Sequence, residues 1–236
     1  MILAGWQPVT LIDYPGRVAA TLFTAGCNLR CPFCHNPELV LPDRVGAKMP
    51  LDPERVLEDL KVRGNLLDGV VVTGGEPTLH DDLEALLESV RALGYFVKLD
   101  TNGTRPDVVR GLIVRDLVDF VAVDVKAPKP RYAEFCGIPE VVASVEETIG
   151  LLKRGSVKVE FRTTVAPGLT AGDVEAIAEW IGPAPAYVLQ RFRVPPEPEK
   201  RLLDPTWAGR EALDEAALRS VWSRIADRFE TGGVRA

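Results

Sequence analysis

The sequence is short of the residues that most metal and disulfide frameworks use. It has four cysteines and two histidines, His35 and His80, in 236 positions. A chain this long buries a sizeable core without disulfide staples. It has no basic excess: 28 Lys and Arg stand against 34 Asp and Glu, for a net charge of −6. That argues against a general nucleic-acid binder, which shows a basic surplus or stripe. No apolar run approaches the roughly 20 residues of a membrane span, so no membrane role is expected. Residues 1–16 lack a basic start followed by a long apolar stretch. No signal peptide is therefore expected, and the cytoplasm is the expected compartment. Thiols stay free there, so clustered cysteines suggest a metal or catalysis before disulfides. There is no internal repeat and no low-complexity tract. One domain over 1–236 is the simplest reading, with a core at about 17–192 and a C-terminal loop and helix at 193–236.

What is present is an alternation. Apolar runs of strand length lie at 18–24, 69–73, 95–100, 120–125, 157–165 and 187–192. Several are nearly continuous, as expected of strands buried on both faces of a parallel sheet. Segments of helical period lie between them, at 53–62, 81–93, 106–115, 141–153, 171–180 and 210–229. Asp52 is a plausible N-cap for the first of these, with Pro53 in its first turn. Gly232 and Gly233 read as the stop of the last. Alternating strands and helices predict an α/β fold with a parallel sheet. Six units fall short of the eight of a closed barrel, so the expectation is a partial (β/α)6 barrel of TIM type. A doubly wound open sheet is compatible with the same pattern.

Each expected strand ends in a small polar cluster: 26–34, 74–76, 100–103, 124–126, then Arg162 with Thr164, then Gln190 with Arg191. Parallel α/β folds bind ligands at the carboxyl ends of their strands, so six such clusters define one mouth.

The first cluster holds three of the four cysteines, in Cys27-Asn28-Leu29-Arg30-Cys31-Pro32-Phe33-Cys34. Thiolates are the usual ligands of iron–sulfur clusters, and a short loop lets three converge on one cluster. Three ligands rather than four leave one iron open to a small molecule. Other readings compete. Cys31-x-x-Cys34-His35 matches the c-type haem attachment pattern, but that leaves Cys27 unexplained. A zinc site from the three cysteines and His35 is chemically possible, although adjacent Cys34 and His35 reach one ion with difficulty. The thiols could also be core packing. Cys136 stands alone and reads as a buried, inert thiol.

Cys-x3-Cys-x2-Cys with Phe33 before the last cysteine resembles the radical S-adenosylmethionine superfamily. The longer stretches Thr10-Leu11-Ile12-Asp13-Tyr14-Pro15-Gly16 and Phe23 through Cys34-His35-Asn36-Pro37-Glu38 resemble the longer type of anaerobic ribonucleoside-triphosphate reductase activating protein, a glycyl-radical-enzyme activase. Gly74-Gly75-Glu76-Pro77, Asp100-Thr101-Asn102-Gly103 and Asp124-Val125-Lys126 recur in order, so the resemblance spans roughly 5–192. It implies a [4Fe-4S] cluster on Cys27, Cys31 and Cys34, with S-adenosyl-L-methionine on the open iron. It further implies cofactor contacts from Phe33, Gly74, Gly75, Glu76, Asp100, Asn102, Asp124 and Lys126. The implied activity is anaerobic. An electron from flavodoxin or ferredoxin leads to reductive cleavage of S-adenosylmethionine. The resulting 5′-deoxyadenosyl radical takes a hydrogen from a glycine of a partner enzyme. A partner like pyruvate formate-lyase, or a small-molecule substrate such as a deazapurine precursor, stays open.

The resemblance is incomplete. Some related activases contact the cofactor through a histidine late in the barrel, where this chain offers only Gln190 or Arg191. Arg162 has no assigned role. His80 is expected on the surface, in the first turn of the next helix. Residues 194–199, rich in proline, are expected to stay extended beside the mouth.

Overall fold

The near-continuous apolar runs form the centre of a single sheet. A computed structural model, describing residues 1–41, 44 and 50–235, places eight strands in strict chain order. They are β1 (Leu3–Thr10), β2 (Ala19–Thr24), β3 (Gly69–Gly74), β4 (Phe96–Thr101), β5 (Phe120–Asp124), β6 (Lys158–Val165), β7 (Ala184–Arg191) and β8 (Phe229–Arg235). β1 is antiparallel to β2, and every later pair is parallel.

Chain order decides between the two architectures that the pattern allowed. A doubly wound sheet reverses its strand order at a switch point. Here each strand adds beside the last, and β1 and β8 do not pair. The result is a partial barrel, open between its first and last strands, as expected from the six central units.

Six helices alternate with the strands: α1 (Pro53–Val62), α2 (Leu83–Ala92), α3 (Pro106–Val114), α4 (Val142–Arg154), α5 (Ala171–Ile181) and α6 (Glu215–Ile225). α1 starts as predicted, with the Asp52 carboxylate accepting from the Glu54 N–H at 3.0 Å. α5 opens with a reciprocal cap between Thr170 and Asp173, which satisfies two otherwise orphaned N–H groups. α2 buries Leu83, Leu86, Leu87 and Val90. Each such burial contributes about 1.5–3 kcal/mol against exposure.

Three expectations need correction. β1 and β8 were not anticipated. The helix expected over 210–229 stops at Ile225, and Phe229, Gly232 and Gly233 lie inside β8. A Cβ at Gly232 would sit 2.0 Å from the Tyr187 carbonyl oxygen, so glycine lets β8 close on β7 there rather than ending a helix. The proline-rich segment does not stay extended throughout, because a short helix begins at Pro198 (Pro198–Arg201).

Candidate functional site

Five of the six polar strand ends converge on one cavity; the sixth, Gln190 with Arg191, falls on a neighbouring one. The cysteine loop follows β2 and closes on itself where the Cys34 N–H donates to the Cys31 carbonyl at 3.0 Å. It is held from two other parts of the chain. The Arg30 N–H donates to the Cys136 carbonyl (2.9 Å), while the Leu203 and Asp204 N–H groups donate to the carbonyls of Cys34 (3.1 Å) and Pro32 (2.9 Å). Phe33 packs against Phe135 and Trp207, with ring centroids 6.1 and 5.8 Å away.

All three thiols line one cavity of about 220 Å³, together with Phe33, Gly74, Gly75, Asp100, Asn102, Asp124 and Lys126. Of the candidate site residues, Glu76 alone does not line it. Its carboxylate is wholly buried and accepts from the Thr78 N–H (3.1 Å), the Thr101 hydroxyl (2.7 Å) and the Asn102 N–H (2.6 Å). Glu76 thus ties the end of β3 to the end of β4. Burial pushes its pKa up, while these hydrogen bonds act in the opposite direction. Gly74 and Gly75 also have a packing reason. A Cβ on Gly75 would lie 2.0 Å from the Gly26 carbonyl oxygen, so only glycine lets this turn lie flush against the cysteine loop.

Asn102 connects the floor of the cavity to the loop. Its amide nitrogen donates to Asn28 Oδ1 (2.9 Å) and reaches Cys27 Sγ at 3.9 Å. Asn28 in turn donates to the Thr104 hydroxyl (2.9 Å).

A chain of charges crosses the mouth. Lys126 Nζ lies 3.1 Å from Asp124, whose other oxygen accepts from Arg162 Nε at 3.0 Å. Arg162 Nη1 reaches Asp100 at 3.1 Å, and Asp100 pairs with the buried Lys98. Burial opposes the Asp124 carboxylate, yet Arg162 and Lys126 outweigh it and hold its pKa well below the ordinary range. Burial likewise opposes the Lys126 ammonium, and Asp124 overcomes it and raises the pKa. Arg162, unassigned from sequence, is the centre of this chain. Lys98 and Asn28 were not anticipated. A signal for Lys98 exists: opposite charges stand two residues apart in β4 (Lys98 with Asp100), in β6 (Glu160 with Arg162) and at the end of β5 (Asp124 with Lys126, just past it). Residues two apart on a strand share a face.

Burial pushes the Cys27 thiol up to about 12 and raises Cys34 too. Cys31 moves the other way, chiefly because the Cys136 thiol hydrogen-bonds to it. Cys136 is buried as expected, but it touches a member of the loop rather than standing apart.

The remaining candidates fall elsewhere. His35 stacks on Phe192 at 5.0 Å, and its Nε2 meets the Arg193 carbonyl at 2.8 Å, an arrangement unlike a zinc ligand's. His80 caps the turn at Pro77–Leu79 and is half-buried with Nε2 unpartnered, which corrects its expected surface placement. Gln190 and Arg191 lie outside the main cavity, on a neighbouring one.

The Radical SAM superfamily model matches residues 21–181. The chain belongs to the radical SAM superfamily. A Methanocaldococcus jannaschii protein whose name carries glycyl-radical enzyme activation as an inferred role is 32% identical over 93% of this chain and 96% of its own length. The 7-carboxy-7-deazaguanine synthase of Methanopyrus kandleri is 35% identical over 49% of this chain and 52% of its own. Among solved structures, SuiB of Streptococcus suis shares the fold with a TM-score of 0.69 at 13% identity, over 92% of this chain and 49% of its own. As a radical SAM enzyme, the protein uses a four-iron–four-sulfur cluster and S-adenosylmethionine.

The donor set of this chain fits both cofactors. Among the described residues no three His, Cys, Asp or Glu side chains gather closely enough to share one ion. Three thiols that line one open cavity could each hold one corner of a multi-iron cluster. The same cavity offers carboxylates, an ammonium and an amide to a zwitterionic ligand. No helix among the described residues is long and apolar enough to cross a membrane.

Proposed function

We propose that this radical SAM enzyme is a glycyl-radical activase, with an anaerobic ribonucleoside-triphosphate reductase as its protein substrate. The supporting observation is the extent of the match to the M. jannaschii relative, 93% of one chain and 96% of the other. The Cys34-His35-Asn36-Pro37 stretch points the same way.

On this reading Cys27, Cys31 and Cys34 hold the cluster. When bound, the cluster would supply low-potential electron chemistry for the reductive cleavage of S-adenosylmethionine to methionine and a 5′-deoxyadenosyl radical, with a flavodoxin or ferredoxin as the electron source. The residues of the chain orient and shield. Gly74 and Gly75 would present backbone to the methionine amine, and Asn102 and Asp100 would face the sugar and methionine portions. Lys126 and Asp124 are a buried, mutually neutralising pair beside the amino-acid end. Phe33, on Trp207 and Phe135, forms an apolar wall that keeps water from the loop. The test is anaerobic mixing of reduced, cluster-loaded protein and S-adenosylmethionine with candidate glycyl-radical enzymes. An electron-paramagnetic-resonance doublet on the reductase supports the reading. A doublet on a pyruvate formate-lyase-like enzyme alone moves the partner, and 5′-deoxyadenosine with no doublet on either removes the activase reading.

One observation favours a second reading. Over about half the chain, the identity to the M. kandleri synthase is 35%. That relative makes a small-molecule substrate related to deazapurines the alternative, tested by product analysis with such a substrate.

A further inference from the structure

Beside the main cavity lies a second one of about 300 Å³, lined by His35, Thr164, Gln190, Arg191, Arg193 and Arg235. His35 and Thr164 line both, so the two are neighbours across a shared wall. Three arginines line this space and, among the described residues, no carboxylate does, in a chain whose net charge is −6.

The arginines differ. Arg235 is committed, its two terminal nitrogens lying 3.1 and 2.6 Å from the oxygens of the buried Glu160. Arg191 and Arg193 are exposed, and their guanidinium groups meet no acceptor among the described residues. The frame around them is fixed. The His35 ring is stacked on Phe192 and tied to the Arg193 carbonyl at 2.8 Å. The Thr164 hydroxyl donates to Gln190 Oε1 at 3.3 Å, which leaves the Gln190 amide nitrogen as a further donor. A concave site with charged donors focuses its field on whatever enters it.

We propose that this cavity is a substrate subsite for an oxyanion, held by the forks of Arg191 and Arg193. A guanidinium fork matches a carboxylate with two parallel hydrogen bonds. Resting on the activase reading, the oxyanion is an Asp or Glu side chain of the partner's loop, close in sequence to the reacting glycine. The subsite then fixes which way that loop enters the mouth.

The test uses cluster-loaded protein with S-adenosylmethionine, and calorimetry at millimolar ligand. Three probes are compared: the acetylated, amidated peptide Ala-Asp-Gly-Asp-Ala, its Ala-Asn-Gly-Asn-Ala twin, and glutarate. The acidic peptide is expected to bind roughly tenfold more tightly than its amide twin, which corresponds to about 1.4 kcal/mol. That preference should shrink as salt is raised. In the double variant Arg191→Gln with Arg193→Gln the preference should vanish while iron content stays the same. Arg219→Gln, on the outer face of α6, should leave the preference intact. Equal binding of the two peptides, no binding of the acidic one, or a preference that survives the double variant overturns the proposal. Glutarate binding as tightly as the acidic peptide supports the subsite but assigns it to a small molecule, and so counts against the activase reading alone.

Discussion

The two ends of the sheet are built from the same strands and handle charge in opposite ways. At the carboxyl ends, Lys98, Asp100, Arg162, Asp124 and Lys126 are largely buried and interlocked. At the amino ends, the Arg17 guanidinium lies over the face of Phe96 at 3.4 Å, and Tyr14 meets Phe120 edge to face at 6.0 Å. This second end encloses a cavity of about 460 Å³ whose charged members, Arg17, Asp116, Asp119 and Lys158, include strongly solvated ones. Unpaired buried charge is costly, whereas exposed charge is nearly neutral for stability. The mouth therefore holds a costly network that only a ligand or the network itself can satisfy. The other end holds a cheap one.

Breaking the comparison starts at the mouth. On the cluster-ligand reading, Cys31→Ala abolishes iron binding and 5′-deoxyadenosine formation outright, while Cys136→Ala keeps both. Iron and sulfide counts after anaerobic purification check this, and loss of the cluster in Cys136→Ala would show that four thiols are needed. Asp124→Ala leaves Lys126 without its carboxylate and removes one of two partners from Arg162. It is expected to cost about 3–5 kcal/mol, read from the urea midpoint of the cluster-free protein. Glu76→Gln keeps the shape but turns donors towards N–H and O–H groups that need an acceptor. A loss of about 1–3 kcal/mol is expected in the same assay.

The other end should respond less. Burial pushes the Tyr14 phenol up to about 12, so the folded state keeps this proton after the unfolded chain has lost it. Its contribution is therefore complete below about pH 10 and declines as pH rises towards 12. Tyr14→Phe should flatten that part of the alkaline stability curve, measured by denaturant unfolding at stepped pH. Arg17→Ala should cost only about 0.5–1 kcal/mol, the worth of an exposed cation–π contact, seen as a small shift in thermal midpoint. A larger loss there than for Asp124→Ala would reverse the contrast between the ends.

How much of this was legible depended on where each residue sits. The six central strands were readable because both of their faces are covered, so nearly every side chain is apolar. β1 and β8 were not. An edge strand needs only one paired side, which allows Pro8 in β1 and two glycines in β8. The cysteine loop was readable because its ligand spacing is local. The charge chain was not, since Arg162 meets Asp124 on the adjacent strand and Asp100 one strand further on. Glu76 was recognised as important, but sequence could not separate a residue that faces the cavity from one that braces it from behind.

The contacts from Leu203, Asp204 and Trp207 to the cysteine loop have a consequence for biosynthesis. The loop leaves the ribosome early, ahead of six of the sheet's eight strands and all six helices α1–α6. Its clamp is made near the end. Until residues 203–207 have emerged, the three thiols are carried on a loop whose final seat does not yet exist. Metal loading into the finished geometry thus waits for residues 203–207, and truncation before Leu203 should yield a protein with its thiols intact on a loop held only from the Phe135–Cys136 side and its neighbouring turns.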